Sequence, residues 1–174
     1  QEPAPASQPT EEPPVDLTLK SPSETEMWAE QLGARVLANG SLRLPSATGL
    51  AEMPGFAEGA WWVQDTAAAL PARLLGDVRG QTVADLCAAP GGKAMQLAAM
   101  GARLTAIDIS KQRTVRLREN AERAMLAMDI VEADARNWKP DAPLDGVLLD
   151  APCSALGVMR RHPEGVWRRD PKDL

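Results

Sequence analysis

Apolar positions along this chain follow two rhythms. From about residue 76 onward, short runs rich in aliphatic and β-branched residues alternate with stretches in which apolar side chains return every three or four positions. TVADLC (82–87), LTAID (104–108), DIVEA (129–133) and GVLLD (146–150) read as buried strands. Helices read over 93–100 and 111–125, the second with Val115, Leu117, Ala121, Ala124 and Met125 on one side and Arg113, Arg116, Glu119 and Arg123 on the other. Regular alternation of strand and helix predicts an α/β domain with a parallel, doubly wound sheet over residues 76–174.

Upstream the rhythm is shorter and mixed. VDLTL and SLRL read as short strands, and residues 23–37 read as a helix with Ser23 as N-cap and Glu26 closing a capping box. WWVQD leads into a helix over 66–75, which Pro71 is expected to kink or split. Residues 15–75 are therefore expected to form a small α+β subdomain. Residues 1–14, rich in Pro, Glu and Gln and nearly devoid of large apolar side chains, read as a disordered linker or tail.

Charge changes this picture at one point. The 174 residues carry a net charge of −5, which argues against a nucleic-acid partner, but residues 1–30 alone contribute −6 and the remainder is nearly neutral. Arg160, Arg161, His162, Arg168 and Arg169 crowd the last segment, a cluster able to meet phosphates or simply to be solvated. The two cysteines, Cys87 and Cys153, lie far apart, so neither a structural zinc site nor a disulfide framework is expected, which suits a reducing cytosol. No apolar stretch is long enough for a membrane span, and the reading is cytoplasmic. Phe56, Trp61 and Trp62 offer stacking surfaces for bases but are expected in the core.

Candidate chemistry sits in two segments, DLCAAPGGK (85–93) and DAPCSALGVMRRHPE (150–164). The first runs from a strand through a glycine turn into a helix, a cradle whose free amides face an anionic group. It is not a phosphate loop: Cys87 stands where the first glycine of GxxxxGK[ST] belongs, and Ala94 replaces the hydroxyl. The dinucleotide pattern GxGxxG is absent as well, yet Asp108 ends the next strand 21 residues after Cys87, placed to accept ribose hydroxyls. An adenosine cofactor that brings a carboxylate, not a pyrophosphate, to the first loop is S-adenosylmethionine. Lys93 lies in the first turn of a helix, where the dipole disfavours a cation, and so suggests a purpose. Asp134 follows the third strand and on residue type alone is a turn residue; Asp150 ends the fourth, where an open α/β sheet forms its crevice.

DLCAAPGGK, AIDIS (106–110), EADAR (132–136) and LLDAPCSALGVMRRHPE (148–164) resemble the motifs of the RNA (cytosine-5) methyltransferases of the Nol1/Nop2/Sun family, most nearly its bacterial Sun type. PPVDLTLK and the Gln64-Asp65 pair share in that resemblance, so it runs from about Pro13 onward. It implies a Rossmann-like S-adenosylmethionine-dependent fold, with strands in the order 3-2-1-4 for the four present here. Cys87, Ala88, Ala89, Pro90, Gly91, Gly92 and Lys93 are implied to hold the cofactor with Asp108, Asp134 and Asp150. Asp150, Lys93 and Cys153 are implied to act on the base, with Cys153 assisting product release. In the family a Thr-Cys-Ser cysteine attacks the cytosine, and these residues contain no such segment. The expectation is therefore a C-terminally truncated, cofactor-binding portion that is inactive alone, with small-subunit ribosomal RNA as partner and no metal. Two other readings stay open. One is an amino-group nucleic-acid methyltransferase, although DAPC lacks the second proline and the aromatic of that class; the other is a non-catalytic S-adenosylmethionine- or RNA-binding module.

Overall fold

The computed structural model describes residues 14–46 and 48–152. The tail over 1–13, Cys153 and the basic cluster 160–169 lie outside them.

Two four-stranded sheets organise the chain. The first is antiparallel, in the order β2 (Arg35–Val36), β3 (Leu42–Leu44), β1 (Val15–Leu19), β4 (Trp61–Val63). Leu17 stands opposite Leu42 on one side and Val63 on the other. Strand β1 is buried along its whole length. Its odd positions Val15, Leu17 and Leu19 join Leu32, Leu42, Leu44 and Trp61 in one apolar cluster. Its even position Asp16 points into a polar seam, where it takes a bidentate pair from Arg43 at 2.7 and 2.9 Å and the Thr66 amide at 3.1 Å.

Three local readings change here. The helix expected over 23–37 is a 3-10 turn (Pro22–Glu24) followed by α1 (Thr25–Leu32), and Glu24, not Ser23, occupies the N-cap without a side-chain cap. Pro22 fixes the tighter first turn, and Gly33 stops the helix in the left-handed conformation, its amide reaching Ala29 O and Glu30 O. WWV forms strand β4 beside β1, since two tryptophans with half-buried neighbours satisfy a pleat better than a helix entry. The following helix, α2, spans only Leu70–Leu74, with Pro71 in its first turn, where a missing amide costs nothing. Trp61 and Trp62 are buried, as expected for core residues.

The second sheet is parallel, in the order β7 (Asp129–Glu132), β6 (Arg103–Asp108), β5 (Thr82–Asp85), β8 (Gly146–Leu148). Taking β5 as first, this is 3-2-1-4, the Rossmann-like order expected. Helices α3 (Gly92–Ala99) and α4 (Lys111–Arg123) connect β5 to β6 and β6 to β7. Val83, Ala84, Ala106 and Ile107 are fully buried at the sheet centre, and Leu97 and Leu117 enclose it from the helices. The buried face of α4 is Thr114, Leu117 and Ala121, continued by Ala124; Val115 and Met125 are exposed, contrary to expectation. A 3-4-3 spacing keeps 114, 117, 121 and 124 in line, whereas Val115 lies one residue, about 100°, off that stripe.

The two sheets meet along a defined seam. Trp62 packs with Met95 and Ala124, and Arg123 lies 4.2 Å over the Phe56 ring while donating to Phe56 O and Trp61 O. Gly59 abuts this turn so closely that a Cβ would come 2.2 Å from Arg123 O.

Candidate functional site

Strand β5 has β6 on one side and β8 on the other, so chain connections run in opposite directions from it. Crevices of open α/β sheets form at such a reversal, beyond the carboxyl ends of the strands. Here a cavity of about 300 Å³ opens at the ends of β5 and β8, walled by Asp85, Cys87, Ala88, Ala89, Pro90, Gly92, Lys93, Arg113 and Asp150, with Gln64 and Asp65 arriving from the first sheet. A larger hollow of about 980 Å³ lies at the opposite strand ends among Thr82, Arg103, Arg118 and Asp129. No buried unpartnered side chain of the described residues faces it, so the smaller crevice is the better site.

The glycine turn is built for close approach. Gly91 caps α3 with φ +116°, and a Cβ there would meet the buried Leu117 Cδ1 at 2.6 Å. At Gly92 a Cβ would sit 3.5 Å from the Gln64 carboxamide. That carboxamide is held on every side: Gln64 Oε1 accepts from Trp62 Nε1 at 3.0 Å, and Gln64 Nε2 donates to Ala68 O and Gln96 Oε1, both at 3.2 Å. Gln96 Nε2 in turn donates to Ala69 O at 2.9 Å. A buried amide relay thus fixes the first sheet against the first two turns of α3, directly beneath the loop.

Asp108 ends β6 at 2 % exposure. It takes the Ala89 amide at 3.2 Å, the Ser110 amide at 3.0 Å and the Arg113 guanidinium at 3.1 Å. Arg113 also donates to Ala89 O, so the Asp108–Arg113 pair clamps the 88–90 segment to the second strand. Lys93, the first-turn cation, reaches Asp150 at 2.6 Å, which accounts for a lysine where the helix dipole opposes it. Asp134 is elsewhere: its carboxylate is gripped by Arg136 through the guanidinium at 2.6 Å and through the amide, and the same pairing holds it down at about 2. It does not line the crevice.

Asp85 went unremarked as a site residue although it opens the motif. It is 1 % exposed, and neither carboxylate oxygen has a hydrogen-bond partner among the described residues. Burial lifts its carboxyl to about 6, a rise that the Cys87 backbone and Lys93 only partly oppose. Burial, with Asp108 and Asp85 nearby, also pushes the Cys87 thiol up, which disfavours the thiolate that a nucleophile needs. Arg113 was missed as well; like Lys93 it is a cation in a helix's first turn, and that signal was available to find it.

Residues 72–174 match the model of the 16S rRNA methyltransferase RsmB/F family. The chain belongs to this family. A curated RsmB/F-type relative, ribosomal RNA small subunit methyltransferase B of Erwinia tasmaniensis, is 41 % identical over 77 % of this chain and 32 % of its own length. The chain thus spans about a third of that relative. Among solved structures, NSun6 from Pyrococcus horikoshii with SFG, an analogue of S-adenosylmethionine, superposes with TM-score 0.64 at 35 % identity, over 75 % of this chain and 34 % of that one. A methyltransferase homologue from the same organism shares the fold at TM-score 0.74 and 22 % identity, over 92 % of this chain and 54 % of that one, which takes in the antiparallel sheet as well. The cofactor of the RsmB/F family is S-adenosylmethionine. The crevice fits it: Gly91, at φ +116° and with a Cβ position 2.6 Å from Leu117 Cδ1, keeps the turn free of a side chain, and an orphaned buried carboxylate stands in the wall. Among the described residues no helix is long and apolar enough to cross a membrane.

Proposed function

We propose that this chain binds S-adenosylmethionine in the β5–β8 crevice, as part of an enzyme methylating C5 of cytosine in small-subunit ribosomal RNA. The observation that carries this reading is the convergence of the 87–93 loop, Asp85, and the Lys93–Asp150 pair on one crevice at the reversal point of the sheet. When bound, the cofactor supplies an electrophilic methyl group. Every other task falls to the protein. The amides of the glycine turn and the start of α3 receive a carboxylate. Asp108, buried and not itself lining the crevice, serves the ribose through the loop that it fixes by the Ala89 amide.

Asp150 is more than half exposed at the crevice mouth while Lys93 is largely covered. That exposure supports a role for Asp150 in receiving the target base, with Lys93 setting its orientation. Cytosine must leave its stack to reach this depth, which favours single-stranded or looped RNA. Attack at C6 by a thiolate is the means of activating C5, and Cys153, three residues beyond Asp150, is assigned to product release. Asp134, tied to Arg136 at the tip of β7, is proposed to serve the adenine end through its loop.

A calorimetric titration of the 174-residue chain with S-adenosylmethionine tests this reading. We expect saturable binding that weakens at least tenfold in Asp108→Ala. A chain that unfolds cooperatively yet binds no S-adenosylmethionine would remove the reading's foundation.

A further inference from the structure

The charges around the crevice do not cancel. Lys93 is paired with Asp150 at 2.6 Å and Arg113 with Asp108 at 3.1 Å. Asp65, at the rim, accepts the Ala67 amide and lies in the field of Arg43. Asp85 is different: it is buried in the wall and neither oxygen has an ion pair or hydrogen bond of bonding geometry among the described residues, the Cys87 backbone and the Lys93 charge offsetting its burial only in part. A carboxylate held this way is costly unless the functional state supplies positive charge. Resting on the function proposed above, we propose that Asp85 biases the crevice toward the cationic methyl donor and against the neutral thioether left after methyl transfer.

General chemistry supplies the argument. S-adenosylmethionine carries an ammonium, a carboxylate and a sulfonium, one net positive charge. When the methyl leaves, the electron pair of the broken S–C bond stays on sulfur, and S-adenosylhomocysteine is left with no net charge. Adenosine, ribose and the amino-acid end are common to both, so the glycine cradle, Asp108 and the loop amides treat them nearly alike. Only an uncompensated charge in a low-dielectric wall separates them, and it acts without touching the sulfur. Asp85 thus favours exchange of spent for fresh cofactor.

Charged groups come toward Asp85 from each element that walls the crevice, with Asp65 at the rim. Lys93 from α3, Asp150 after β8, and Asp108 at the end of β6 with its partner Arg113 from α4 are held as ion pairs. Cys87 on the loop has its thiol pushed up and stays neutral there. Burial sets Asp85 at about 6. His162, the chain's single histidine, lies outside the described residues, so the variant is what assigns a pH dependence to Asp85.

The test is a pair of calorimetric titrations, S-adenosylmethionine and S-adenosylhomocysteine, on wild type and Asp85→Asn, at pH 5.5, 6.5 and 7.5. At pH 7.5 the ratio of affinities for donor over product should fall on the order of tenfold in Asp85→Asn, mostly through loss of donor affinity. In the wild type the same ratio should shrink as pH drops to 5.5, and in the variant it should stay level. An unchanged ratio in a folded variant, or equal loss of both ligands, overturns the proposal while leaving cofactor binding intact. Should the variant not fold, a wild-type ratio indifferent to pH overturns it equally. Wild type that binds neither ligand rejects the proposed function itself.

Discussion

At the scale of single residues, the crevice combines groups that are fully engaged with one that is not. Gly91 belongs to the first kind, since its φ of +116° and the 2.6 Å clearance to Leu117 forbid a side chain. Gly91→Ala should lower stability by about 1–3 kcal/mol and weaken S-adenosylmethionine binding, as followed by thermal melting and calorimetry. Asp85 belongs to the second. Its folded carboxyl, raised to about 6 from the ordinary 3.8, binds a proton more tightly than in the unfolded chain. Its contribution is therefore neutral below about 3.8, becomes destabilising as pH rises through 3.8 to 6, and is fully unfavourable above that. Asp85→Asn should raise stability at pH 8 by roughly 1–3 kcal/mol and flatten the profile between pH 4 and 6 in urea titrations. No gain at pH 8 would mean that Asp85 is compensated in solution. The sequence showed Asp85 only as a polar position inside the strand read over 82–87 and the first residue of DLCAAPGGK; its isolation depends on which neighbours face it, and spacing does not carry that.

At the scale of elements, the buried amide relay Trp62–Gln64–Gln96 joins β4 to α3 and seats the glycine loop. Gln64→Leu takes the Gln64 bonds from Trp62 Nε1, Ala68 O and Gln96 Oε1, and Gln96→Leu takes those from Ala69 O and one of the two acceptors of Gln64 Nε2, at a cost of about 1–3 kcal/mol each. Because the two share a bond, the double variant should cost less than the sum, which a double-mutant cycle would reveal; strict additivity would show that they act separately. The parallel strands and α3 were legible because buried aliphatic runs and glycine turns are local signals. Strand β4 and the short α2 were not. A three-residue strand is decided by the edge it pairs with, here β1 at Leu17 to Leu19, and Pro71 reads as a break or a start depending on where neighbouring contacts let the helix begin. Val115 and Met125 were misplaced for a similar reason: the stripe through Thr114 is visible only when a threonine is allowed into the core.

At the scale of the whole molecule, the two sheets share one interface made by Trp62, Met95, Ala124, Phe56 and Arg123, with Gly59 as its closest approach. Gly59→Val cannot fit 2.2 Å from Arg123 O without moving α4 away, so the variant should unfold in two transitions. Tryptophan fluorescence, reporting chiefly the first sheet, and far-ultraviolet dichroism would then disagree in midpoint, while the wild type should give coincident curves. Coincidence in the variant would mean the seam is not what couples the sheets. The sequence by itself determined the parallel strands, the glycine turn after the first of them and the motifs that carry the family resemblance, through which the strand order was implied, because each is written in contiguous residues whose backbone demands are local. Only the tertiary structure decided that Lys93 meets Asp150, that Asp108 and Arg113 lock the loop, that Asp134 stands apart, and that Asp85 is buried without an ion pair among the described residues. Most of those facts are set by contacts between residues distant in the chain, such as Ala89 with Asp108, 19 positions apart, and Ala89 with Arg113, 24 apart, which no pattern along it records.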